Sequence, residues 1–246
     1  RDIKKTFQTI GKNWYWFVLF LLLGVGGSIA YLYKATKFYG ATTQVLITPP
    51  KDPFKDALSE SLPNPTTKSE EVNNEIMVLR STKLMDETIK KLGLDISYYI
   101  EGRLKTGEVY KGTPFEVQGK MIDTRLYEVP IKLKILNREK FRWEISSENY
   151  STSGESKFGE PVVTPKFSFL VMPDSNVISK NAKISEINYQ FRFRNHTNLI
   201  KKYKKLFKAE PVTEASVITI TIEDEVPERA IDFLNTLVNL YIENSV

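Results

Sequence analysis

A chain of 246 residues, 41% of them hydrophobic, is long enough for one large domain or two smaller ones with real cores, which excludes a disordered tail. It has no cysteine and a single histidine, His196, so thiolate nucleophiles, disulfides, Cys-based zinc sites and multi-histidine metal sites are excluded. A formal charge of +5, from 35 basic against 30 acidic residues, suits a membrane surface or an anionic polymer but is too small to argue for nucleic acid.

The segment from Trp14 to Tyr33 runs without a charge between Lys12 and Lys34. At about 1.5 Å per residue it spans about 30 Å, the hydrocarbon thickness of a bilayer. Trp14, Tyr15 and Trp16 at one end and Tyr31 and Tyr33 at the other form the aromatic belts of a membrane anchor. Ser28-Ile29-Ala30 has a trace of a cleavage site, but the apolar run is longer than a signal core and rich in aromatics, so a retained transmembrane helix is expected. Gly24, Gly26 and Gly27 lie within the span without forming a GxxxG pair. Charge does not orient the span, because Arg1, Lys4, Lys5 and Lys12 precede it while Lys34, Lys37 and Lys51 follow. Opening on Arg1 and stopping at Val246 inside a helical pattern, the sequence reads as a fragment.

After the span, Tyr39 to Ile47 is β-branched and aromatic, bounded by Gly40 and Pro49-Pro50, and predicts a strand. Residues 48 to 67 hold Pro49, Pro50, Pro53, Pro63 and Pro65 and predict a long loop. Thr67 followed by Glu70 fits a capping box, with Val72, Ile76 and Leu79 on one helical face behind it. Met85, Ile89 and Leu92 continue the rhythm out of phase, which predicts a break at Arg80-Ser81-Thr82, Ser81 as a new cap and Gly93 as the stop.

From Leu94 to Arg194 the period changes to 2, most clearly in Ile131-Leu133-Ile135, Phe141-Trp143-Ile145, Phe167-Phe169-Val171 and Ile187-Tyr189-Phe191-Phe193. One face of each run is apolar and the other polar, as in an antiparallel sheet or sandwich of about seven or eight strands, with a hairpin turn at Asn137 to Lys140.

A helix is expected at Thr197 to Lys208, with Leu199, Tyr203 and Leu206 inside. Its Lys201, Lys202, Lys204, Lys205 and Lys208 read either as an anion contact or as a solvated helix face. His196, just before it, reads as an ordinary surface or cap residue. Val217 to Ile222 is a strand, and Glu223-Asp224-Glu225 with Pro227 marks the start of a last helix. That helix carries two adjoining apolar stripes, Ile231, Leu234, Val238 and Tyr241 on one and Ala230, Phe233, Leu237 and Leu240 on the other. A single sheet needs only one stripe. Phe233, Leu237 and Leu240 therefore read either as an oligomer interface or as part of a deep core.

There is no GxxxxGK[ST] phosphate loop, HExxH, GxSxG or Cys-His pairing. The carboxylate pairs Glu70-Glu71 and Glu223-Asp224-Glu225 fall at helix starts, where they suit the macrodipole better than glycoside hydrolysis. No catalytic, cofactor-binding or metal site is expected.

The ordered segments resemble the Wzz-type chain-length determinant domain of polysaccharide co-polymerases, including the membrane part of Wzc-like bacterial tyrosine kinases. The resemblance rests on the charged lead into the span, ATTQVLI at 41 to 47, EVNNEIMVLRSTKLMDETIKKLGL at 71 to 94 and VITITIEDEVPERAIDFLNTLVNLYIENS at 217 to 245. Within these, Leu79-Arg80-Ser81, Leu92-Gly93-Leu94, and Asp224 with Pro227, Ala230 and Asn235 match the family's recurrent positions. The segment from about 95 to 195 is larger and more β-rich than in compact family members, so no role is carried over to it.

The residue pattern and the resemblance together lead to an expected α+β fold: a cytoplasmic lead and transmembrane helix at 1–37 and a periplasmic Wzz-like α/β core at 38–94 and 197–246, as the resemblance implies, with the β-rich antiparallel region read from alternation inserted at 95–196. The resemblance further implies a homo-oligomer in the inner membrane that meets a polysaccharide polymerase and an outer-membrane exporter, without cofactors or nucleic acid. A second membrane span, and in some relatives a cytoplasmic kinase domain, would follow. A membrane-anchored sensor or glycan-binding ectodomain and an anchored hydrolase are the alternatives. The strands at 41–47 and 217–222 are expected to lie side by side, packed by the helices at 70–92 and 227–246.

Overall fold

A computed structural model describes residues 14–35, 37–47, 65–102, 105–174, 184–212 and 216–245. Most of the proline-rich stretch at 48 to 67 and the charged lead before Trp14 lie outside them. The chain divides into two compact units, Arg1–Lys37 and Phe38–Val246. In the first, helix α1 (Trp14–Lys34) is the one helix among the described residues long and apolar enough to cross a membrane.

The second unit has mixed helices and antiparallel sheets around two apolar cores. Strand β1 (Tyr39–Leu46) is followed by helices α2 (Pro65–Leu79) and α3 (Thr82–Lys91). Helix α2 begins at Pro65, so the position of Thr67, expected to precede the helix as its cap, falls within it. The break after Leu79 is where the two apolar rhythms part, and Ser81 Oγ accepts from Leu84 N at 3.2 Å as the cap of α3. At the other end Gly93 takes φ +62°, and Leu94 N donates to Ile89 O while Gly93 N donates to Lys90 O, both at 3.1 Å. That pair of bonds is the Schellman stop, which a side chain at position 93 would strain.

Nine strands then form the insertion: β2 (Ile96–Glu101), β3 (Thr106–Val109), β4 (Phe115–Met121), β5 (Ile131–Ile135), β6 (Lys140–Ser147), β7 (Tyr150–Lys157), β8 (Pro161–Val163), β9 (Phe167–Pro173) and β10 (Asn188–Phe193). The structure thus has nine strands here against the seven or eight read from alternation; β7 is Ser-, Thr- and Gly-rich and buries no side chain fully, yet pairs along its whole length with β6. They make a six-stranded sheet, β3-β2-β10-β5-β6-β7, and a three-stranded sheet, β4-β9-β8. The inner faces meet through aromatic edges: Trp143 of β6 lies against Phe167 and Phe169 of β9 at 5.9 and 5.8 Å, and Phe169 against Phe191 of β10 at 5.3 Å. The expected hairpin is present between β5 and β6, where Asn137 Oδ1 accepts from the amides of Glu139 and Lys140.

The chain returns through α4 (His196–Leu206), β11 (Phe207–Pro211), β12 (Val217–Asp224) and α5 (Pro227–Ser245). Strand β12 lies between β1 and β11 in an antiparallel sheet, with Ala41 opposite Ile222 and Val45 opposite Ile218. The long-range pairing expected from the sequence is therefore found. Ile218, Ile220 and Ile222 point under the helices with Val72, Ile76, Leu79, Phe233 and Leu237. Thr42, Gln44, Thr219 and Thr221 face the other way, where Thr42 and Thr221 hydroxyls meet at 3.0 Å.

Gly119 shows how tightly the small sheet is drawn together. A Cβ there would lie 2.3 Å from Ser168 O and 2.7 Å from Phe169 Cα of the partner strand, whereas a Cβ at Gly107 would meet nothing within 4 Å. Gly119→Ala is expected to lower unfolding stability by about 1–3 kcal/mol, with Gly107→Ala far milder, as read from chemical denaturation of the two variants side by side.

Candidate functional site

The chain crosses between the α/β core and the insertion through a neck at Leu94–Ile96 and Phe193–His196, and two clusters of charged side chains join elements of the two parts. Asp224 closes β12 and Arg229 lies in the first turn of α5, so the strand-to-helix step places them face to face. Arg229 Nε and Nη2 donate to Asp224 Oδ2 and Oδ1 at 2.8 and 2.6 Å, and Nη1 donates to Glu108 Oε1 on β3 at 2.5 Å. Asp224 is 1% and Arg229 5% exposed, so each ion depends on the other for its solvation. Asp224 Oδ2 also accepts from the Tyr203 hydroxyl at 3.2 Å and Oδ1 from Val226 N at 3.0 Å. Tyr203 in turn stacks on Phe233 with ring centroids 4.4 Å apart. One guanidinium thus ties α5 and β12 of the core to β3 of the insertion, assisted on the surface by Lys111 and Asp232 at 2.5 Å.

Burial on its own would push the Asp224 carboxyl up, but the bidentate Arg229 outweighs it and holds the group below the usual carboxylate range. Burial pushes the Tyr203 hydroxyl well above its ordinary range, so it stays protonated and donates.

The sole histidine lies at the first position of α4, behind its cap Asn195. Its Nδ1 is 2.6 Å from Asp95 Oδ1 and its Nε2 is 2.5 Å from Asp86 Oδ1, and Lys90 Nζ reaches the other Asp86 oxygen at 2.8 Å. His196 is thus no ordinary surface residue. Its partners stand 101 and 110 positions away in the chain, which no local pattern could have indicated. Between the two clusters a cleft of about 600 Å³ opens, lined by Tyr98, Tyr110, Lys111, Phe115, Met172 and Arg229 among others. The Tyr110 hydroxyl is pushed up to about 12 by burial and the neighbouring Asp232 carboxylate.

The other residues singled out from the sequence fall as follows. Trp14, Tyr15, Trp16, Tyr31 and Tyr33 are exposed at the two ends of α1, where the aromatic belts were expected. Lys201, Lys202, Lys204 and Lys205 sit on α4, but Lys208 does not: the helix ends at Leu206, and Lys208 lies on β11 paired with Glu223 at 2.9 Å. Lys204 donates to Thr82 Oγ1 at 3.0 Å, so the lysine row is partly engaged within the domain. The premise of an interface through the last helix, that its second stripe stays open in one subunit, is not met. Phe233 and Leu237 are both 0% exposed, and Leu240 packs half-buried against the same core. One side of α5 rests on β1 and β12 and the other on α3, which accounts for the buried positions of both stripes, while Ile231 of the first stripe stays 52% exposed.

Comparison with known proteins finds a family model, Wzz, chain length determinant protein, over residues 2–92. This stretch, which holds α1, β1, α2 and α3, matches the Wzz family model, in agreement with the resemblance read from 41 to 47 and 71 to 94. The segment 217 to 245 lies beyond the match but is joined to it by the β1–β12 pairing. No curated protein matches the chain.

Removing Arg229 leaves Asp224 and Glu108 without a counterion, so Arg229→Ala is expected to cost about 3–5 kcal/mol in equilibrium unfolding. Because the folded pKa of Asp224 is depressed, its stabilisation is present above the usual carboxylate range and lost as pH falls through the folded value. The stability difference between wild type and Asp224→Asn should therefore shrink as the denaturation series is taken down through the acid range. Leu237→Glu is expected to unfold the domain. A folded variant that migrates as a smaller assembly would instead restore this stripe as an interface.

Proposed function

We propose that this chain is the non-catalytic scaffold of a polysaccharide co-polymerase in the inner membrane, with residues 38 to 246 in the periplasm, governing the length or export of a surface polysaccharide. The observation that carries this reading is the Wzz match over residues 2–92, because it spans the apolar helix and the first strand and helices of the domain in one continuous stretch. The protein would work by position. Subunits of a homo-oligomer present repeated surfaces to a polymerase and an outer-membrane exporter, and the chain itself performs no bond chemistry.

Support also comes from the order of elements. Strand β1 begins at Tyr39, five residues after α1 ends at Lys34, so an anchored helix delivers the chain straight into the sheet of the folded domain. A helix anchored this way needs its apolar centre uninterrupted.

Leu22→Arg with Val25→Arg puts two charges at that centre, each costing about 2.5–3.5 kcal/mol on insertion scales. The double variant is expected to leave the membrane fraction, and cells carrying it in place of wild type should make surface polysaccharide of altered length distribution on gels. An export-dependent reporter fused after Gly112 should be active in the wild-type background. A reporter active only in the cytoplasm would overturn the topology, and an unchanged glycan profile with the double variant lost from the membrane would overturn the co-polymerase reading in favour of a sensor or binding ectodomain.

A further inference from the structure

His196 is placed where the two chain crossings of the neck meet. Asp95 opens the insertion, Arg194 closes it, and the Arg194 amide donates to the Asp95 carbonyl at 2.8 Å, directly beyond the Phe193–Ile96 end of the β10–β2 ladder. From this crossing the imidazole reaches Asp95 with one nitrogen and Asp86 on α3 with the other. An ionised carboxylate only accepts hydrogen bonds, so two carboxylates at 2.6 and 2.5 Å require both ring nitrogens to donate, which only the imidazolium can do. A neutral ring would hold one of these acids and turn a lone pair toward the other.

Other charged groups stand on the elements packed against the ring. From α3 come Asp86, Glu87 and Lys90, with Lys90 already bound to Asp86. From the entry to the insertion comes Asp95, and from β10 comes Arg194, whose guanidinium is engaged by Glu128 at 3.1 Å and Tyr99 at 3.3 Å. On its own helix, Lys204 is held by Thr82. His196 also sits at the amino end of α4, where the helix dipole disfavours a cation. The two aspartates supply what holds it charged.

We propose that His196 is the titratable pin of the neck. When protonated it draws α3, the entry to the insertion and the start of α4 together, and loss of one proton releases one of these contacts and loosens the hold of the insertion on the core. Burial works against the charge, but Asp95 and Asp86 outweigh it and raise the imidazole above its ordinary range, so the clasp is complete below that range and lost as pH rises through the folded value.

The composition makes the test clean, since the chain has one histidine and no cysteine. In the full chain in detergent, isotope-labelled histidine gives a single imidazole signal, whose midpoint is expected above about 6.5 and should fall in Asp95→Asn. Spin labels on Glu139→Cys in the insertion and Asn235→Cys on α5 should show a distance distribution that broadens as pH rises through that midpoint in the wild type. In His196→Gln the distribution should not respond to pH over the same range. A midpoint at or below the ordinary value, a distribution unchanged across the midpoint, or a pH response retained in His196→Gln would each overturn the proposal, and the Asp95→Asn titration decides it should the glutamine variant fail to fold.

Discussion

The antiparallel ladder between β1 and β12 is the contact on which the rest of the domain depends. It joins segments whose paired residues, such as Thr42 and Thr221, stand 179 positions apart, and it makes β12 the centre of the core sheet. Its register decides which side chains face the helices. With Ala41 opposite Ile222, the isoleucines of β12 point into the core and the threonines form the wet face; a slip of one residue would exchange the two sets. The same register places Asp224 at the last, buried position of β12, facing the start of α5.

From Asp224 the fastening of the insertion follows. Arg229 neutralises it and has enough donors left to take Glu108 from β3, so an ion that the core requires for its own solvation also grips the added sheet. Such a buried cluster is weak as a source of net stability, since desolvation offsets much of its attraction. What it supplies is geometry. An apolar contact of similar size would tolerate sliding, whereas a guanidinium shared between two carboxylates fixes where β3 lies against α5. The histidine clasp does the same for α3 and α4 through a group whose two aspartate partners raise its pKa.

The elements were legible wherever burial is one-sided. Alternation revealed β5, β6, β9 and β10 because their inner faces are aromatic or branched, and the phase jump between Leu79 and Met85 revealed the α2–α3 break. Strand β7 carries little such signal, being an edge strand whose inward positions include Thr152, Gly154 and Ser156, with Gly154 small enough to lie beneath the Trp143 ring. Strand β11 was absorbed into the preceding helix, since Phe207 and Lys208 continue its amphipathic rhythm. The last helix misled differently: its double stripe was correctly seen, but sequence alone cannot distinguish a helix wedged between a sheet and α3 from one shared with a neighbour. The charged neck was beyond reach for a plainer reason. Asp86, Asp95 and Glu108 lie on other elements than His196 and Arg229, and only the closed sheet brings them together.

The distance along the chain between β1 and its partner also sets a timetable. Ribosomes add roughly 5–20 residues per second, so β1 emerges on the order of ten to forty seconds before the strand that completes it. During that interval it presents an unpaired edge, and Leu46, exposed even in the finished fold, marks its apolar tip. The insertion, by contrast, can condense around its own aromatic core from neighbouring hairpins while β1 waits. The order of birth is thus apolar helix, open edge, closed insertion, and only then the core. A chain interrupted before Val217 would display a finished sandwich beside a strand still able to pair with the wrong neighbour.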